Sequence, residues 1–579
     1  MGLSLIICIV TGQSFEKETY QVIRVWNPTY SMLEELHSVG IPIDHSYSES
    51  GQFIELVARD DQVERIDSRS IVFDIIIDDL GAWTKSQNKP AVQREFPLGS
   101  LQGNYTFDEA VARMDTFSLI YPNIVSEKMS IGQTIEGRDI WAFKVSDNPD
   151  SNETEPEVLF TGLTHAREPL GMMNLFYYVQ HLCENYDVDD EVTFLVNQRE
   201  LWFVPILNPD GYTWNENYYN QNGSPGYHRK NRRDTGCGTG TSRGVDLNRN
   251  YEYDWGADDN GSSPDPCYTT FRGSAPFSEP ETSHLRDFVL GQDFQNIMHY
   301  HAYGNVLIHS FGSGDYPPEP DYSMITEIGE WMTTENEYSV GTGTELLGYG
   351  VNGDAVDWSY GTLGLLSYLP EIGSPSDYFW PSENRVLPLC QDQLYQNKIF
   401  SLVAGSDPAL VDVEYSTSTT GAGGFISFIL SIQNRGLLPS NGEVNIDIEV
   451  LNDFVSIINI SDTIRYLGSR EIQEVQVDCV IPFDAIEGED SGFQVTVNDS
   501  LSLPHNEIVI FRVGSPAALP GDIVTDLAQN IFDVQALAEI LLENGDISNF
   551  MEYIADLNSD GNITIEDLIE LVNIIMEIE

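Results

Sequence analysis

The hydrophobic residues of this 579-residue chain change their spacing several times, and each change marks an element. Alternation from Tyr20 to Val25 predicts a strand, residues 30–39 a helix, and the apolar stretches 51–58 and 71–77 two further strands. The polar stretch 84–94 (TKSQNKPAVQR) reads as an exposed linker open to proteolysis. Three apolar runs beyond it are each followed by chemistry. The run 158–163 leads to His165 and Glu168; Pro169 suits a first helical turn and 170–182 continues it, so His165 and Glu168 fall on the connecting loop. A second strand begins at Phe294 and ends near His299 and His301, and a third, 363–370, delivers Glu371. From 408 to 514, alternating β-branched runs such as 424–432 and 445–450, with turn signals between them, predict an antiparallel β-sandwich. A helix over 568–576 closes the pattern.

In open α/β sheets, sites collect beyond the carboxyl ends of strands, where these residues fall. Zinc accepts imidazole nitrogen and carboxylate oxygen, and a catalytic site needs three protein ligands. His165 and Glu168 supply two, and His301 is the candidate third. His299 competes with it, being two residues away and so on the same strand face. A His and Glu three residues apart are a weak signal alone, and a chance surface pair is the alternative. The scarce arginines concentrate in Arg229-Lys-Asn-Arg232-Arg233 and in GVDLNRNY, 244–251. Guanidinium forks bind carboxylates bidentately, so a pocket built from them suits a substrate with a free carboxylate. Surface ion pairing is the reading for Arg233, but not for Arg249, which two Asn flank in an apolar context.

In order, the chain shows HARE (165–168), NPDGY (208–212), RKNR (229–232), GVDLNRN (244–250), CYTTFRGSAPFSEPET (267–282), HAYG (301–304), the 349–360 segment and PEIG (370–373). Over roughly 104–407 it resembles a zinc metallocarboxypeptidase of the carboxypeptidase A/B type, an α/β domain with a mixed central sheet. The resemblance implies Zn2+ held by His165, Glu168 and His301, with Asp246 orienting His165. It implies that Asn248, Arg249 and Tyr349 hold the terminal carboxylate of a peptide, that Arg232 polarises the scissile carbonyl, and that Glu371 is general base and then general acid. Val356 would set the floor of the terminal side-chain pocket and favour hydrophobic or aromatic residues, while Asp354 could add basic side activity. It also implies a Cys237–Cys267 disulfide, and it makes 19–83 an α+β propeptide joined by the linker 84–103; Cys183 and Cys390 read as either paired or buried thiols. The alternatives are a non-catalytic binding or adhesion protein on a peptidase fold, and a zinc hydrolase of cell-wall peptides.

Composition changes the picture at the edges. The apolar stretch 3–10 within residues 1–15 reads as a secretory signal, which with the disulfide predicts a secreted protein. No segment approaches the eighteen apolar residues of a membrane span. Ninety-one Asp and Glu against 28 Lys and Arg give a net charge of −63, which excludes a nucleic-acid partner and suits saline or calcium-rich surroundings. In 519–579, Asp556, Asn558, Asp560, Asn562 and Asp567 occupy positions 1, 3, 5, 7 and 12 of a Ca2+ loop with Gly561 at the sharp turn. Asp522, Asp526 and Asp533 repeat it partially. The pair resembles a dockerin, a small all-α calcium-binding module whose partner is a cohesin; a calcium-stabilised terminal cap is the alternative.

Overall fold

The computed structural model describes residues 18–41, 43, 47–49, 52–67, 69, 71–90, 96–415, 425–461, 463–482, 485–486, 488–514, 521–523, 529–543, 555–558, 560 and 562–576. The signal-like stretch, Cys8, Arg94 and Asp526 lie outside the described residues. The chain forms two compact units, Met1–Ala404 and Gly405–Glu579.

The first unit opens with an antiparallel sheet of β1 (Tyr20–Trp26), β2 (Tyr47–Glu49), β3 (Phe53–Arg59) and β4 (Phe73–Ile77), in the order β2-β3-β1-β4. Helices α1 (Tyr30–Ser38) and α2 (Asp60–Asp67) bury one face, where Leu36 and Ile66 meet Ile23, Val25, Ile54 and Leu56. The opposite face lies on the rest of the unit. Tyr20 stacks 4.9 Å from Tyr227 and donates to the Thr241 hydroxyl at 2.8 Å, and the Thr269 hydroxyl donates to Gly40 O at 3.2 Å. Tyr349 packs against the apolar core of this small sheet.

The expected linker 84–103 is partly helix, which corrects the reading from polarity. Helix α3 (Leu80–Gln87) begins at Asp79, whose carboxylate accepts from Ala82 N at 2.9 Å. Thr84 is buried with its hydroxyl 3.2 Å from the Tyr227 hydroxyl, so a polar residue here is an interface residue. Lys89 is exposed, although its backbone pairs with Ser382 and Asn384.

The main sheet of this unit has eight strands: β5 (Met129–Gln133), β6 (Asp139–Val145), β7 (Glu157–Thr161), β8 (Glu200–Val204), β9 (Phe294–His299), β10 (Val306–His309), β11 (Ser339–Thr342) and β12 (Leu366–Glu371). Their order is β11-β10-β12-β9-β7-β8-β6-β5. The run β12-β9-β7-β8 is parallel, whereas β6, β5 and β10 join antiparallel, so the sheet is mixed as expected. Central parallel strands are covered on both faces, which is why β7 and β12 are buried throughout. Strand β12 starts at Leu366 rather than 363, because a helical turn over Trp358–Thr362 and Gly364, at φ +72°, use up the preceding residues. Helices α4 (Phe107–Ile120), α5 (Pro169–Asn185), α6 (Asp190–Gln198), α7 (Pro209–Asn222) and α8 (Pro280–Leu290) complete the part that positions the site. Pro169 and Pro209 stand at their helix starts, where a missing N–H costs nothing.

The second unit, taken by itself, contains one sheet of β13 (Pro408–Tyr415), β14 (Phe425–Asn434), β16 (Ser456–Ile460) and β17 (Ile472–Val480), and another of β15 (Asn445–Val450), β18 (Asp490–Asn498) and β19 (His505–Arg512). All their pairings are antiparallel, and the two sheets share one core in which Phe428 lies 5.0 Å from Phe493 and 5.7 Å from Phe511. That is the expected sandwich. Helices Ile531–Glu543 and Ile565–Met576 follow. Among the described residues, no helix is long and apolar enough to cross a membrane.

Candidate metal centre and substrate cleft

Strand β7 ends at Thr161, and the chain makes a tight loop before α5. Leu163 adopts φ +50° there, and Ala166 N donates to Arg229 O at 2.9 Å. The loop turns His165 and Glu168 toward His301, which lies two residues beyond β9 and pairs through its backbone with Glu371. His165 Nδ1 is 3.0 Å from Glu168 Oε1, and His301 Nδ1 is 2.8 Å from Glu168 Oε2 and 3.0 Å from His165 Nδ1. All three side chains are buried. Two imidazole nitrogens facing each other and one carboxylate cannot all be satisfied by one proton between them, but a divalent cation suits all three lone pairs. Among the described residues, the groups able to do this are His165–Glu168–His301 and the less buried Asp147–Glu153–Glu155.

Behind the cluster, Asp246 Oδ1 takes His165 Nε2 at 3.2 Å, the arrangement that fixes which ring nitrogen points forward. Burial alone would raise the Asp246 carboxyl. Arg229, together with His165 and Arg249, instead holds it well below the usual carboxylate range. His299 does not compete for the metal position. The strand ends at that residue, so its ring turns away to Thr161 (2.9 Å) and Ser359 (3.2 Å), and burial pushes it down to about pKa 3. Same-face logic fails where the chain leaves the sheet.

A cleft opens beside the cluster. His165, His301, Glu371, Asn248, Arg249, Tyr349, Val356 and Asp354 all line it, bringing together most of the residues singled out from sequence. Glu371 is the last residue of β12 and is 4% exposed. Asn248 Oδ1 accepts from Ala355 N at 3.0 Å, tying the short turn Leu247–Arg249 to the short helix Ala355–Asp357. Arg249 is anchored through Nε to Gly261 O at 2.8 Å. The wall beyond it combines Ile308, Val351, Val356 and Leu369 with His309, Asp354 and Asp357.

Arg232 is not at this site. Its guanidinium donates to Thr239 O (2.9 Å) and Gly240 O (3.3 Å) and lies over Trp214, where burial and the charge of Arg243 push it down to about pKa 10. The cation that reaches the cluster is Arg229, 3.0 Å from Asp246. The run RKNR holds both residues, and sequence spacing alone did not say which side chain turns inward. Asp357 was also missed, although its position three residues after Asp354 on one helical face was the available signal.

Cys237 and Cys267 form the expected disulfide, closing a loop with a sequence separation of 30; loop closure of that size stabilises by about 3–4 kcal/mol. Cys183 and Cys390 do not pair and are buried thiols. Among the described residues, the groups of His, Cys, Asp and Glu close enough to share a metal ion do not include those expected to hold calcium. Asp567 instead accepts from Leu557 N and Thr564 N, and Asp560 N donates to Asp556 Oδ1 and Asn558 Oδ1, both at 3.0 Å. Asn562 N donates to Asp560.

Residues 110–396 match the family described as Zinc carboxypeptidase, and the chain belongs to that family through this domain. Membership implies Zn2+ as its metal. A zinc carboxypeptidase of Saccharothrix mutabilis subsp. capreolus is 32% identical over 298 residues, covering 49% of this chain and 66% of the relative. Carboxypeptidase B of Astacus astacus is 27% identical over 293 residues, covering 49% of this chain and 91% of the relative. The crystal structure of carboxypeptidase A from Helicoverpa armigera superimposes with a TM-score of 0.54 at 20% identity. It covers 98% of that chain and 67% of this one, a longer stretch than the family match.

Proposed function

We propose that the chain hydrolyses the C-terminal peptide bond of peptides or proteins, with His165, Glu168 and His301 as zinc ligands. One observation carries this reading: two buried imidazoles and a carboxylate converge within hydrogen-bonding distance at the wall of a cleft that also holds Glu371 and Arg249. Bound zinc would act as a Lewis acid and lower the pKa of a water to about 7. Glu371 takes the proton of that water on its carboxylate and returns it to the departing amine nitrogen. Arg229 stands in for Arg232 as the cation beside the scissile carbonyl. Asn248, Arg249 and Tyr349 hold the terminal carboxylate, which makes the activity exopeptidase, since an internal peptide bond offers no such anion. Ile308, Val351, Val356 and Leu369 support a pocket with apolar walls for the last side chain.

The small sheet of β1–β4 is read as a propeptide because Tyr349, a cleft residue, packs against its core. The disulfide supports secretion. The loop 556–567 keeps the spacing of a calcium loop, and a calcium-dependent dockerin-like fit to a cohesin-type partner is the reading of that module.

The test is metal analysis with hydrolysis of N-blocked dipeptides. Wild type should carry one zinc and cleave free-acid substrates but not their C-terminal amides. Glu371→Gln should keep the zinc and lose about 10²–10⁴-fold in kcat. Loss of the metal in that variant would mean that Glu371 is a ligand, and equal cleavage of amides would exclude the exopeptidase reading.

A further inference from the structure

The loop between β6 and β7 gathers carboxylates that hydrolysis does not use. Asp147, Glu153 and Glu155 each offer an oxygen within 4.8 Å of the others'. Lys144 reaches this loop at Ser151 O, but its charge is committed to Glu200 Oε1 at 2.8 Å. An acidic loop by itself is a solvated patch. Two orphaned oxygens set this one apart. Glu200 is fully buried at the start of β8, paired in register with Glu157 at the start of β7. Its Oε1 also accepts from Glu153 N at 2.9 Å, which holds the carboxyl against the underside of the loop. Its Oε2 has no hydrogen-bond partner among the described residues, and neither has the buried Oε2 of Glu155.

A carboxylate oxygen taken out of water without a donor loses its hydration and gains nothing in exchange, so such atoms call for a partner. The crowding shows in protonation as well: burial, followed by the charges of Glu153, Asp147 and Glu200, pushes the Glu155 carboxyl up to about pKa 7. A divalent cation would meet all of these needs together. The group holds no imidazole or thiolate, and oxygen donors alone favour a hard ion over zinc. They stand on an irregular loop, and calcium, which takes about six to eight oxygens in a flexible geometry, tolerates that better than magnesium. Asn148 bridges two of the acids, its Nδ2 donating to Glu153 Oε2 at 3.0 Å and to Asp147 Oδ1 at 3.3 Å. Half a turn of that amide presents its oxygen as a further ligand.

We propose that Asp147, Glu153 and Glu155, with Glu200 beneath them, form a calcium site where β7 and β8 begin, at the end of β7 opposite His165. The ion ties the β6–β7 loop to the first residues of two central strands. It stabilises the first unit and takes no part in hydrolysis, so the proposal does not rest on the carboxypeptidase reading.

The test uses the full chain carrying Asp556→Ala and Asp560→Ala in the terminal loop, compared with the same chain carrying Glu153→Gln and Glu155→Gln in addition. Equilibrium dialysis against millimolar calcium should find one calcium fewer per chain in the second protein. Without calcium, the added substitutions should raise the melting temperature of the first unit, because they relieve repulsion between like charges. With millimolar calcium the order should reverse, because only the parent gains from the ion. Magnesium at the same concentration should give less than half the calcium shift. Equal calcium content in the two proteins, or a melting order that calcium does not reverse, overturns the proposal. An equal shift with magnesium overturns the choice of calcium.

Discussion

Arg229 and Arg232 lie three positions apart in one motif, yet one braces the buried Asp246–His165 pair and the other plugs the loop at 239–240. Arg229→Lys leaves a positive charge for Asp246 but removes the fork, and should lower kcat by about 10²–10³-fold, as loss of one donor to a developing oxyanion does. Arg232→Ala should change kcat/KM less than threefold and appear instead as a lower melting temperature. The opposite ranking would restore Arg232 to the site. At Glu281, in the first turn of α8, burial and the charge of Glu279 push the carboxyl up to about pKa 8; its Oε2 accepts from Asn231 at 3.1 Å. The folded state therefore binds this proton more tightly than the unfolded chain, whose value is about 4.3. Stability tied to it is fully present below pH 4 and is lost as pH rises toward 8. Glu281→Gln mimics the protonated form, so its melting temperature relative to wild type should climb from pH 5 to pH 8.5. A constant offset would show that Glu281 is ionised when folded. His165, Glu168, His301 and Glu371 were legible in sequence because each follows or ends an apolar strand run, and Arg249 because two Asn flank it in an apolar context. The choice between Arg229 and Arg232, and the presence of Asp357, were not, because side-chain direction in loops and short helices depends on contacts made by distant residues.

Elements were legible where spacing was strong. The strand after Tyr20, helix α5 and strand β9 all lie close to where periodicity placed them. The linker was misread because polarity stood for exposure, whereas Thr84 and the Asp79 cap belong to a helix laid against Tyr227. That difference moves the expected cleavage site. A protease cuts extended, accessible chain, so cutting should fall after α3, at Lys89 or beyond, and not within 80–87. The sheet of β1–β4 is tied to the rest of the unit by side-chain contacts that include Tyr20 to Thr241 and Tyr268 to Ser38. Once the covalent link is cut, it should dissociate or loosen. The expected result is a mapped cut beyond Gln87 with at least a tenfold rise in hydrolysis of a small substrate. Unchanged rates after a complete cut would show that the small sheet does not obstruct the cleft, whatever Tyr349 packs against.

At the scale of the whole molecule the acidic excess dominates. Ninety-one acids face 28 Lys and Arg, so one-to-one pairing leaves 91 − 28 = 63 carboxyls without a basic partner. Some are satisfied locally by backbone N–H groups, as Asp567 is in the terminal module. Such bonds hold a carboxylate in place without neutralising it, and the sum remains a self-repelling shell that opposes compaction. Between 0.01 M and 1 M salt the Debye length falls from about 30 Å to about 3 Å, which takes repulsion from molecule-wide to near-contact range. Both units should therefore melt several degrees higher in 1 M sodium chloride than in 0.01 M. Screening does not depend on the cation, so potassium should match sodium. Calcium at millimolar concentration contributes little screening. Beyond its effect on the first unit through Asp147, Glu153 and Glu155, it should raise the transition that includes 519–579. That second rise should vanish in the double variant Asp556→Ala, Asp560→Ala, while the sodium effect persists. Melting temperatures flat across sodium chloride would mean that the 63 excess charges are largely protonated or paired with bound ions when folded. A calcium effect on that transition that survives the double variant would place the calcium somewhere other than the loop at 556–567.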